Sequence, residues 1–85
     1  MITIVGAAIR YKELIITLPK PNRHHHILQL MFNLGIKGGG EFQGFITSEG
    51  KYIDRKEAIT IAMEAGQCKN GKPELGYMLF SEDLW

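Results

Sequence analysis

Two apolar runs open the chain. Residues 2–9 and 13–18 are rich in β-branched side chains, which suit the pleated, half-buried surface of a sheet. Arg10, Tyr11 and Lys12 join them, so the pattern predicts a hairpin. Pro19 and Pro21 end the second strand, because neither can donate to a ladder. Asn22 can then cap a helix with its side-chain oxygen. Ile27, Leu28, Leu30, Met31 and Leu34 fall on one helical face and Gly35 suits the residue past the end, which predicts a helix over 23–34. Gly38-Gly39-Gly40 reads as a loop, 42–47 as a strand, Ser48-Glu49-Gly50 as a turn and 51–53 as the returning strand. Asp54-Arg55-Lys56-Glu57 has a cap acceptor followed three residues later by Glu. Ala58, Ile61, Ala62 and Ala65 continue as a narrow apolar stripe that Gly66 stops. Residues 67–76 are polar and Gly-rich, 77–80 read as a short strand, and 81–85 as a tail with one helical turn.

The order hairpin, helix, hairpin, helix, short strand predicts a single α+β domain over 1–85. Its small antiparallel or mixed sheet carries both helices on one face. The two halves look alike, each a strand pair and a helix ending in Gly, as a degenerate repeat would.

Composition narrows the class. The chain has 85 residues, with ten Lys and Arg against nine Asp and Glu, for a net charge of +1. A binder of long nucleic acid needs a larger excess of positive charge. No apolar run approaches the roughly 20 residues that span a bilayer, and the start lacks the basic region of a signal peptide. The lone Cys68 excludes an internal disulfide and suits a reducing cytoplasm. So small a core gains from oligomerisation, for which 77–80 and Leu84-Trp85 offer apolar side chains.

Chemistry concentrates at the predicted helix starts and in the tail. His24, His25 and His26 occupy one helical turn, where neighbours point about 100° apart and cannot converge on a metal. No metal or other cofactor is expected. The free N–H groups of that turn, with Lys20 and Arg23 beside them, favour a phosphate or carboxylate, and the helix dipole keeps an imidazole neutral. The plainer alternative packs His24 under the apolar face and leaves His25 and His26 in water. Phe45 can stack on a base and Gln43 can read its edge, with Thr47 and Ser48 nearby; strand alternation alone would place Phe45 in the core. Asp54 reads as a cap, while Arg55 is free to take a phosphate bidentately. Glu82 and Asp83 are acids that pair with Arg55 or His25, serve as bases, or lie in a solvated tail. The glycines lack the Lys-Ser/Thr of a phosphate-binding loop, no nucleophile elbow is present, and Cys68 has no base placed beside it.

The run Gln43-Gly44-Phe45-Ile46-Thr47-Ser48-Glu49-Gly50-Lys51-Tyr52-Ile53-Asp54-Arg55-Lys56-Glu57-Ala58, then Ile61-Ala62, Ala65-Gly66-Gln67 and Ser81-Glu82-Asp83-Leu84-Trp85, resembles a family of small phage and prophage proteins. That pattern begins with a His pair near the first helix, matched by two of His24, His25 and His26, and has Phe where Tyr52 stands. The resemblance covers about residues 23–85. It implies phage or prophage origin and no established reaction. It also marks a polar set of the His pair, Gln43, Thr47, Ser48, Arg55, Gln67, Ser81, Glu82 and Asp83.

The leading expectation is a cytoplasmic homo-oligomer that binds a nucleotide-derived small molecule. Such a protein would sequester a host immune signal such as a cyclic nucleotide or cyclic ADP-ribose. Arg23 and Arg55 would hold phosphate, Phe45 would stack a base, and Gln43, His25 and His26 would add polar specificity, with Thr47, Ser48, Gln67, Ser81, Glu82 and Asp83 around them. One alternative is a metal-independent hydrolase of such a molecule, with His24 and His25 as acid and base oriented by Glu82 or Asp83. Another is an inhibitor that blocks a host enzyme through Phe80, Leu84 and Trp85.

Overall fold

The computed structural model describes residues 1–37 and 42–85. Four strands, β1 (Ile4–Tyr11), β2 (Leu14–Pro19), β3 (Gln43–Thr47) and β4 (Tyr52–Asp54), form one antiparallel sheet in the order β2-β1-β3-β4. Two helices, α1 (His24–Asn33) and α2 (Glu57–Glu64), complete the α+β fold. Helix α1 packs against β1 and β2, and α2 against β4 and β1. The expected glycine loop at Gly38-Gly39-Gly40 lies outside the described residues.

Register explains why both helices cover the same face. Ala7 stands opposite Leu18 and Phe45, Phe45 opposite Ile53, and Ile9 opposite Ile16. Directly opposed residues share a face, so these apolar side chains all project to one side. A register shift between Ile4 and Gly6 turns Ile4 to that side too, opposite Thr47. Ala7 and Ile9 pack with Ile27 and Met31 of α1. Ile4, Phe45 and Ile53 pack with Ala58 and Ala62 of α2 and with Cys68, Leu79 and Leu84.

Both helices end as their glycines predict. Gly35 and Gly66 take positive φ, and the following residues, Ile36 and Gln67, donate back to Met31 and Ala62. The start of α1 differs from expectation. Asn22 does not cap α1; its amide donates to the Pro19 carbonyl. His26 takes the capping role instead, its Nδ1 accepting the Arg23 N–H at 2.8 Å. Asp54 behaves as the sequence suggests, Oδ1 accepting from the N–H groups of Lys56 and Glu57 at 2.9 and 2.7 Å.

The segment 77–80 is not a strand. Its main chain meets the rest of the molecule through Arg55, whose carbonyl accepts the Leu79 N–H at 2.9 Å. The tail turns through a 3₁₀ helix at Ser81–Asp83. Asp83 caps it, accepting from Phe80 N–H and Glu74 N–H. Leu79 and Leu84 are buried in the core, so the apolar surface that the sequence offers for oligomerisation is largely spent within the chain.

Candidate functional site

The start of α1, the base of the second hairpin and the tail meet on the helix-covered side of the sheet. His24 opens α1 and is buried, with Nε2 2.7 Å from the Gly44 carbonyl oxygen. A carbonyl only accepts, so the neutral ring carries its hydrogen on Nε2. The ring also meets Phe45 edge-on, with centroids 5.1 Å apart. Burial pushes the His24 pKa down to about 4, partly offset by the Gly44 bond; Arg55 lowers it further and Glu82 raises it.

Arg55 links three elements. One guanidinium nitrogen donates to the Leu79 carbonyl and another to Gln43 Oε1, both at 2.6 Å. Its Cζ lies over the Phe80 ring, 4.7 Å from the centroid. Half-burial lowers its pKa, Glu82 opposes that shift, and an arginine remains charged regardless. Arg23 reaches the main-chain oxygen of Trp85, and Trp85 Nε1 donates to the Asn22 carbonyl at 3.0 Å. Ser81 Oγ donates to Glu82 Oε1 at 2.7 Å, the chief reason that the Glu82 carboxyl sits below its usual range.

Beside Arg55 lies a cleft of about 490 Å³ lined by Gln43, Asp54, Arg55, Lys56, Tyr77, Met78 and Phe80. Two cations face one carboxylate there, and Tyr77 is 67% exposed at its wall. A second cleft of about 620 Å³ is lined by Lys69, Asn70, Lys72, Pro73, Glu74, Glu82 and Asp83. Its two lysines are outnumbered by three acids and it holds no aromatic ring. Only the first cleft therefore combines a surplus of positive charge with a stacking surface.

The sequence-predicted residues divide between these places. Gln43 and Arg55 line the first cleft, and Glu82 and Asp83 the second. Phe45 is fully buried, which corrects its expected stacking role: no face of the ring is open to a base. Thr47 Oγ1 accepts from Glu49 and Lys51 in the hairpin turn, and Ser48 Oγ accepts from Thr3. Gln67 brackets Ile4, accepting its N–H and donating to its carbonyl. Ser81 is fully buried, and Arg23 is held by the tail. His25 and His26 are exposed, with ring centroids 4.0 Å apart, and line neither cleft.

Lys56, Tyr77 and Met78 are cleft residues that the sequence did not single out as a site, and Asp54 and Phe80 read from it only as a helix cap and an interface anchor. Lys56 had a weak signal in its place beside Arg55. The 77–80 segment reads as strand or interface, and nothing in its spacing shows that Phe80 lies under a guanidinium. Cys68 is buried, which pushes its thiol pKa up, as does Asp83. Among the described residues no group of three or more His, Cys, Asp or Glu could hold a metal ion, and no helix is long and apolar enough to cross a membrane.

The model of one protein family, described as phage T4 y16D protein, matches residues 3–85, so the chain belongs to that family. No curated protein and no solved structure matches it.

Proposed function

We propose that this member of the phage T4 y16D family binds a small nucleotide-derived molecule in the cleft beside Arg55 and does not turn it over. The observation that carries the reading is the composition of that cleft: Arg55 and Lys56 for a phosphate, Tyr77 and Phe80 for a base, Gln43 and Asp54 for polar edges. Its volume of about 490 Å³ falls in the range of ligand pockets, ~300–1,000 Å³. In a phage-infected cell such a protein acts in the host cytoplasm, sequestering a nucleotide signal of host immunity.

Hydrolysis has less support. Nε2 of His24 is committed to Gly44, its low pKa makes it a weak base, and His25 lies outside the cleft. The exposed apolar side chains that would suit self-association are Leu14 and Ile15 on the edge strand β2, and Phe32 and Leu34 on or beside α1.

Calorimetric titration with cyclic AMP tests the reading. Lys56→Ala and Tyr77→Ala are each expected to weaken binding about tenfold, equivalent to about 1.4 kcal/mol, without a shift in Tm, since both side chains are exposed. Denaturing the loaded protein should release intact nucleotide. Cleaved product would favour the hydrolase. No binding, with one host protein retained stoichiometrically by the bait, would favour the inhibitor.

A further inference from the structure

The groups lining the cleft also bear on how much charge its ligand carries. We infer that the cleft selects a phosphodiester bearing a single negative charge over a nucleotide with a polyphosphate chain, and that Asp54 is the residue that discriminates. This rests on the nucleotide-binding reading above and narrows it to a ligand class.

The cations are Arg55 and Lys56, and Asp54 opposes them. Arg55 already donates from one nitrogen to the Leu79 carbonyl and from another to Gln43 Oε1, with its Cζ over the Phe80 ring. Its remaining donors suit one phosphate group. Lys56 adds a point charge next to it, while Asp54 in the cleft and Glu82 and Asp83 behind Arg55 offset part of this pair, so the positive surplus matches little more than the single charge of a phosphodiester. A di- or triphosphate brings further charges into the same cleft. There they meet the Asp54 carboxylate, and among the described residues no third cation lines the cleft; like charges at close range raise each other's cost as water is displaced.

Asp54 also caps the entry to α2, so its removal risks mixing two effects. Only Oδ1 is used for the cap, on the N–H groups of Lys56 and Glu57. Asparagine presents an amide oxygen where aspartate has its carboxylate Oδ1, and the two rank about equally as caps. Asp54→Asn therefore removes the charge and keeps the turn.

The experiment is a calorimetric comparison of cyclic AMP, AMP and ATP at fixed ionic strength, without divalent metal, on the wild type and on Asp54→Asn. Wild-type affinity should fall in the order cyclic AMP, AMP, ATP, with cyclic AMP about tenfold or more ahead of ATP. Asp54→Asn should narrow that ratio severalfold, mainly by tightening ATP, at unchanged Tm. ATP binding as tightly as cyclic AMP to the wild type overturns the inference and leaves nucleotide binding standing. An unchanged ratio in a folded Asp54→Asn overturns the role of Asp54. If none of the three nucleotides binds, the nucleotide reading falls and takes the inference with it.

Discussion

His24 is 7% exposed and donates from Nε2 to the Gly44 carbonyl, so charging its ring would put a cation in a site that offers it little solvation. Its pKa of about 4 in the folded chain lies below the ordinary 6.5. The sign of the linkage follows. Above about pH 6.5 the ring is neutral folded or unfolded and nothing is lost. Below it the unfolded chain takes up a proton that the folded chain refuses until about pH 4. Stability should therefore fall across that window, by as much as about 3 kcal/mol in total and about 2 kcal/mol at pH 5. Urea unfolding at pH 7 and pH 5 checks the loss. An NMR titration that moved the His24 ring protons near pH 6.5 would show the ring to be solvated.

At the scale of elements, the second hairpin is the part that cannot give way. Gly44 of β3 stands opposite Asp54 of β4, and any Cβ there would strike the Ile53 carbonyl oxygen and the Tyr52 ring. The first of these is backbone and cannot swing aside. Gly44→Ala should cost about 1–3 kcal/mol or more in urea unfolding, whereas Gly50→Ala, also in this hairpin, has open space around it and bears only the strain of a φ of 78°. Arg55 ties the same hairpin to the tail, which makes Lys56 and Tyr77 the cleaner probes of ligand binding. Much of this architecture was legible in the chain: the alternating runs, the Gly35 and Gly66 stops and the Asp54 cap report local chemistry that neighbours in sequence decide. The 77–80 segment was not, because Tyr77-Met78-Leu79-Phe80 is as apolar as a strand. Only the tertiary pairing of Leu79 with Arg55, and the sinking of Leu79 into the core, show otherwise. The expected polar set was legible as a list and not as a place. Thr47, Ser48, Gln67 and Asp83 spend their side chains on main-chain groups, which no spacing rule reveals.

For the whole molecule, two helices and a tail cover one face of a four-stranded sheet, and the cleft opens where β3, β4, the entry to α2 and the tail converge. The fold thus gathers Gln43, Asp54, Arg55, Lys56, Tyr77 and Phe80 from segments up to 37 positions apart in sequence. A net charge of +1 over the chain suits a small anion better than a long polyanion. The most direct test of ligand binding at this place is a titration of ¹⁵N-labelled protein with cyclic AMP, following every backbone amide. The account predicts saturable shifts that cluster at Gln43, Asp54, Arg55, Lys56, Tyr77 and Phe80 and share one dissociation constant. Shifts centred on His25 and His26 at the start of α1, or none at millimolar nucleotide, would contradict it.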